Sequence, residues 1–442
     1  MTTCIACPRQ PARPTLSNTT TTIMAAVAAM TFSASGAAPT PLYQHYQESF
    51  GLTAFTLTAV FAAYVLSLLA ALLTVGSLSD HVGRRPAILV ALVMNIMAMA
   101  MFMTASSAAA LIAARAVQGF ATGLATATLG ATILDTDGTR GPVVNSITAF
   151  AGLTAGSVGG GVLVTYAPDP SQFVYMVLLV LSAIEAVLLW HMPETAQGRP
   201  GVLASLRPHV SVPPQARRAL MKVTPVTIAS WALGGFYFSL MPALVRVATG
   251  VTLPVVGGLV VGALTLSGAV SVLSLRTIDA RRILSGGIFA LTAGVAITLA
   301  GVAAQLVAPM LAGTLVAGIG FGAAFSGTMR TVMPLAKANE RAGLLSAFYV
   351  EGYLSFSLPA MLGGFLAPIV GLTTVADVYG AAVIVVALAS TVAMMVSRER
   401  PLSPSAHPGA LQTGTSRRLD VTTKTLAAVT RLLSLRGRPA ER

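Results

Sequence analysis

Apolar residues run almost unbroken for about 20 positions at a time along this chain, the length that crosses a bilayer as a helix. Six runs lie at roughly 21–42, 53–78, 87–105, 107–132, 143–166 and 171–191. Six more lie at 223–247, 253–275, 284–304, 308–329, 342–368 and 373–397. The pattern predicts an all-α membrane protein of twelve transmembrane helices. A proline-rich basic connection, 192–222, separates the two sets, giving a tail at 1–20, six-helix bundles at 21–191 and 223–397, and a second basic tail at 398–442.

The two sets read as copies of one plan. Features recur about 200 residues apart, as in transporters built from parallel repeats: Pro41 with Pro242, Gly119 with Gly320, Arg84-Arg85 with Arg281-Arg282, and Gly160-Gly161 with Gly363-Gly364. Two bundles related by a pseudo-twofold axis are expected.

Composition agrees. With 55% hydrophobic and 9% charged residues, the chain has too few polar groups to cover a water-soluble surface. The net charge of +13 does not indicate nucleic acid, because the basic residues are not clustered on one folded face. They fall in the tails and in every even-to-odd connection, while Glu48, Asp169 and Asp377 lie in the opposite ones. That asymmetry puts both termini in the cytoplasm. Only Arg115 and Arg246 depart from it. Arg9 and Arg13 before the first run could open a cleaved leader, but cutting there would leave eleven helices and break the repeat. Cys4 and Cys7 have no second Cys pair or nearby His to complete a metal site and read as reduced tail thiols. The five histidines lie at helix ends, in loops or in tails, so no catalytic or metal constellation is expected, and no phosphate-binding loop is present. In the last tail, Val421 to Leu435 has the spacing of a basic amphipathic helix on anionic lipid, or of a solvated tail.

The joint after the second run reads Gly76-Ser-Leu78-Ser-Asp80-His-Val-Gly83-Arg84-Arg85-Pro86. Gly76 suits the close approach of another helix, Gly83 a sharp turn, and Asp80 lies near the start of the next helix, where negative charge is favoured. At Gly76, Leu78, Asp80, Gly83, Arg84 and Arg85 it resembles the loop between helices two and three of the major facilitator superfamily. The resemblance implies a cytoplasmic gate with Asp135 as an ionic partner. It also implies contact with the start of the eleventh helix, near Glu340 to Gly343, in the outward-open state. The repeat of this loop, Asp279-Ala-Arg281-Arg282, lacks both glycines.

Within the fourth run, Leu111, Arg115, Gln118 and Gly119 resemble the helix-four motif of proton-coupled members, where the arginine faces the central cavity. The plainer reading is an arginine that snorkels, or that ties helix 4 to helix 1, since a charge at that depth needs water or a partner. Glu351, in the eleventh run, is a carboxyl suited to gaining and losing a proton, or a buried acid that locks packing. Glu185, in the sixth run, reads as a pairing or snorkelling acid. Gly152, Gly156, Gly160 and Gly161 resemble the antiporter signature of the drug-efflux branch, with Ser157 where proline is expected. Trp231, Tyr237, Tyr349 and Tyr353 are candidate walls of a cavity for a large apolar or cationic substrate.

Together the motifs resemble the twelve-helix drug:proton antiporters. What that implies is alternating access in a bacterial cytoplasmic membrane by a monomer without cofactor, driven by the proton gradient, with lipid, protons and a small molecule as its partners. A sugar or metabolite symporter or exporter of the same superfamily is the alternative, and a receptor or scaffold that keeps the fold is another.

Overall fold

A computed structural model describes residues 17–196, 198–208, 210–337 and 340–396. Cys4, Cys7 and the 421–435 segment lie outside the described residues. The long helices are α1 Asn18–Ala37, α2 Ala54–Thr74, α3 Arg84–Met103, α4 Ala108–Thr136, α5 Gly141–Tyr166 and α6 Pro170–Trp190. They continue with α7 Pro214–Ser239, α8 Pro254–Ser274, α9 Ala280–Ala303, α10 Val307–Val332, α11 Arg341–Val370 and α12 Leu372–Val396. Among the described residues, eleven spans are long and apolar enough to cross a membrane, and α7 with the short helix Met241–Thr249, bent by 64° at Leu240, completes twelve.

Local chemistry sets several starts. The hydroxyls of Ser17, Thr53 and Ser107 accept from the backbone N–H three residues on, and Asp169 and Asp279 cap α6 and α9 in the same way. Asp279 is thus a helix cap here, bonded to the N–H groups of Arg281 and Arg282. Two boundaries differ from the apolar pattern. α7 starts at Pro214, inside the 192–222 connection, because Pro213-Pro214 opens a helix whose first turns carry Arg217, Arg218 and Lys222 beyond the apolar run. The first span turns at Pro39 and Pro41 and then runs on as a helix from Tyr43 to Phe50.

Close helix approaches mark the repeat. A Cβ on Gly119 or Gly123 would strike α2 at Tyr64 and Leu68, and one on Gly318 or Gly322 would strike α8 at Leu264 and Gly268. Gly119 therefore corresponds in packing to Gly318, and not to Gly320, which rests on Leu291 of α9. The pair Gly160-Gly161 does correspond to Gly363-Gly364. Gly160 and Gly363 face the ends of α1 and α7 at Ala38 and Leu240. Gly161 crosses to α8 at Val255 and Gly258, and Gly364 crosses to α2 at Thr58.

The halves meet along α2 with α11 and along α5 with α8. Several polar links between them gather at one end: Thr40 Oγ1 donates to Phe238 O at 3.2 Å, Val255 N donates to Thr165 Oγ1 at 3.0 Å, and Arg246 pairs with Glu48 at 3.1 Å. This end lies opposite the Asp80 loop. Arg246, out of place in the charge pattern, is one half of that seal.

Candidate functional site

The charged loop is built around Arg84. Gly83 has φ +101°, and a Cβ there would lie 2.6 Å from Glu194 Oε2, so both backbone and space require glycine. The turn delivers Arg84 into a buried position. Its guanidinium pairs with Asp80 at 2.5 Å and Asp135 at 3.1 Å and donates to Ser79 Oγ at 2.7 Å. Glu194 accepts from the backbone N–H groups of Arg84, at 2.6 Å, and Arg85, at 3.1 Å. The carboxylate sits on the free donors of the first turn of α3, where the helix dipole favours it. Arg85 lies over the Trp190 ring at 5.1 Å. Glu194 escaped the sequence reading, yet it had a signal as the single acid in the basic 192–222 connection. Gly76 is crowded by Leu72 O of its own chain turn. The nearest atoms there belong to that local turn.

Among the described residues, the loop bonds to Asp135 and to the connection after α6, where Ser77 Oγ donates to Ser205 O. Glu340 instead accepts from Gln215 at 2.7 Å, and Gly343 O accepts from Ser211 N. With the halves sealed at the opposite end, the loop's charges are held within its own half. We expect Asp80→Asn to lower turnover about tenfold while half-saturation moves less than twofold, since the carboxylate holds Arg84 and not substrate. Initial rates of transport in proteoliposomes measure both.

Arg115 is fully buried in α4 and is tied to α1 and its extension. It donates to Gly36 O at 3.1 Å, Gln118 Oε1 at 2.8 Å and Tyr43 OH at 2.6 Å. Gln118 Nε2 in turn donates to Ser35 O at 2.7 Å. The rings of Tyr43, Tyr64 and Phe102 surround the guanidinium at 5.3 to 5.8 Å, an arrangement that stabilises a desolvated cation. Of the two readings of Arg115, the geometry matches the tie between helices 4 and 1.

Glu351 lies ten residues into α11, roughly 15 Å along the helix at 1.5 Å per residue. It is half-buried, its Oε1 has no hydrogen-bond partner, and Thr224 of α7 is its polar neighbour. Arg115 and Gln118 thus sit in the first half and Glu351 in the second; the structure does not bring them together.

Between the halves stands an aromatic wall. Trp231 meets Tyr353 at 4.9 Å and Phe356 at 6.1 Å, Tyr349 stacks on Tyr353 at 5.8 Å, and Phe356 meets Phe61 of α2 at 5.2 Å. Tyr64, beside Arg115, lies one turn along α2 from Phe61, the residue of that helix that meets the wall. Tyr237 does not belong to this wall. Its hydroxyl bonds Thr314 at 2.8 Å and Thr298 at 3.4 Å inside the second half, because burying a tyrosine there requires partners for its OH. Gly152, Gly156 and Gly160 pack against α1 at Met30, Ala34 and Ala38, whereas Gly161 crosses to α8. The helix-five motif is thus mainly a packing face within its own half. A cleft of 270 Å³ lies beside the Arg246 seal, and an apolar groove of 430 Å³ lies on the outer side of α7, α11 and α12; neither is lined by Trp231, Tyr349 or Glu351.

Twelve apolar helices in two similarly packed halves, meeting at an aromatic wall and sealed at one end, define a membrane transporter. The sequence profile of the Major Facilitator Superfamily matches residues 22–350, and the chain belongs to that family. No curated protein matches its sequence. Many solved structures share the fold, two of them as follows. The nucleoside transporter NupG, as a point mutant, is 13% identical with a TM-score of 0.65, over 84% of this chain and 99% of that one. The human organic anion transporter MFSD10 (TETRAN) is 15% identical with a TM-score of 0.62, over 86% and 100%. As a member of that family the protein is a secondary transporter and not an enzyme.

Proposed function

We propose that the protein is a proton-coupled exporter of hydrophobic or cationic small molecules, working by alternating access in a bacterial cytoplasmic membrane as a monomer, with the Asp80 end in the cytoplasm. The observation that carries this reading is the wall of Trp231, Tyr349, Tyr353, Phe356 and Phe61, which spans both halves. Such rings bind apolar and cationic groups over their faces. A nucleoside or sugar asks for several hydrogen-bonding groups, and the wall offers the two tyrosine hydroxyls and the Trp231 N–H. An organic anion asks for a free cation, but Arg115 is committed to Gly36, Gln118 and Tyr43. Glu351 supplies the coupling carboxyl.

The test is a screen of drugs and metabolites in a strain lacking its own efflux pumps, followed by pH recording in proteoliposomes. Export of lipophilic cations with substrate-induced proton movement is expected. Transport of sugars or nucleosides alone, or transport without proton movement, overturns the reading.

A further inference from the structure

One buried acid has no part in the reading above. Glu185 of α6 is 5% exposed, its Oε1 accepts from Thr31 Oγ1 of α1 at 2.5 Å, and its Oε2 is buried without a partner. The helices packed around α6 give it no counter-charge. α1 contributes Thr31 and Ser35, and α3 contributes Asn95, whose Nδ2 donates to Ser182 Oγ at 3.0 Å and Ser35 Oγ at 3.3 Å. α5 carries no Asp, Glu, Lys, Arg or His. The cations on neighbouring elements are held elsewhere: Arg84 by Asp80 and Asp135, Arg85 over Trp190, and Arg115 on Gly36, Gln118 and Tyr43.

A lone carboxylate so enclosed is far costlier than the neutral acid, because desolvation is not repaid by any ion pair. Two further orphans lie on a neighbouring set of polar groups, one turn along α1 from Thr31 and one turn along α6 from Glu185. Asn95 Oδ1 is a buried acceptor without a donor, and Arg115 Nε is a buried donor without an acceptor. Ser35 joins the parts, accepting from Asn95 at its hydroxyl and from Gln118 at its carbonyl, while Gln118 holds Arg115. Along α1, Thr31 and Gly36 are five residues apart, roughly 7.5 Å. An acid lacking a cation and a cation lacking an acid therefore stand about one and a half turns of α1 apart inside one bundle.

We propose that Glu185 is a proton-binding site inside the first half, occupied in this conformation. When α1 and α6 part to admit water, the carboxyl O–H bond breaks, the proton leaves to that water, and the carboxylate that remains draws Arg115 along the Ser35–Gln118 chain. Arg115 then leaves Tyr43 and Tyr64, the latter on the same helix as Phe61 of the aromatic wall. The use of this site in transport rests on the proton-coupled reading; its occupancy by a proton does not.

Infrared difference spectra of the purified full chain in liposomes test the site across a pH titration. Wild type is expected to show a carboxylic-acid carbonyl band at neutral pH, part of which is missing in Glu185→Gln and shifted in Thr31→Val, where its donor is gone. An unchanged band in both variants overturns the proposal, and Thr31→Val keeps the test open if Glu185→Gln fails to fold. In proteoliposomes, Glu185→Gln is expected to continue transport with one proton fewer moved per substrate; an unchanged ratio overturns the site's part in coupling. Wild type that moves no protons at all overturns the function proposed above while leaving the infrared result standing.

Discussion

Arg115→Met is expected to cost about 2–4 kcal/mol of stability, the sum of interhelical bonds worth ~0.6–1.7 kcal/mol each and of the acceptors left bare. The guanidinium is the one group that holds Gly36 O, Gln118 Oε1 and Tyr43 OH at once, so its loss removes the tie of α4 to the end of α1 and its extension and leaves the Gln118–Ser35 bond beside it. Arg115→Lys is expected to rescue little, because a single ammonium cannot span the positions of Nη1 and Nη2 or lie flat against Tyr64. Equilibrium unfolding of the purified protein in mild detergent measures the effect. A lysine variant as stable as wild type would show that charge alone matters there and that the forked geometry does not.

The parts of this molecule that sequence made legible are those carried by length and by short local chemistry. Twelve apolar runs of bilayer length gave twelve helices, with ends displaced where a proline pair, as at Pro213-Pro214, starts a helix outside the apolar run. The Asp80–Arg84–Asp135 set was readable because its members lie at fixed spacing on one turn and at the end of one helix. What sequence could not show was direction. A span apolar on all sides has no polar stripe to mark the face that turns inward. Tyr237 and Trp231 lie on the same helix and looked equivalent, yet one hydroxyl is spent on Thr314 and Thr298 while the other ring stands in the wall. The repeat register slipped for the same reason: Gly119 and Gly320 match in spacing, but the glycines that touch α8 as Gly119 touches α2 are Gly318 and Gly322. Glu185 and the polar groups beside it lie on α1, α3 and α6 and bond through the hydroxyls of Thr31, Ser35 and Ser182, and none of them stands out within its own span.

Glu351→Gln is the substitution expected to separate transport from its energy source. Glutamine keeps the volume of the side chain and a polar end for Thr224, so insertion and substrate exchange at equal concentrations on both sides should persist. It cannot release a proton at any accessible pH. Uphill transport driven by an imposed pH gradient is therefore expected to fall at least tenfold, equivalent to ~1.4 kcal/mol lost from the coupling between proton and substrate. Half-saturation by a neutral hydrophobic substrate should hardly change. By helical spacing Tyr349 and Tyr353 lie about 200° around α11 from the carboxyl, so the wall is left as it was. A lipophilic cation should bind more weakly, because the variant removes the negative charge in that part of the second half. Proteoliposome uptake with and without a gradient, beside counterflow at equal pH, distinguishes these outcomes. Wild-type accumulation by the variant would remove Glu351 from the coupling machinery and leave Glu185, enclosed in the first half, as the carboxyl to test next.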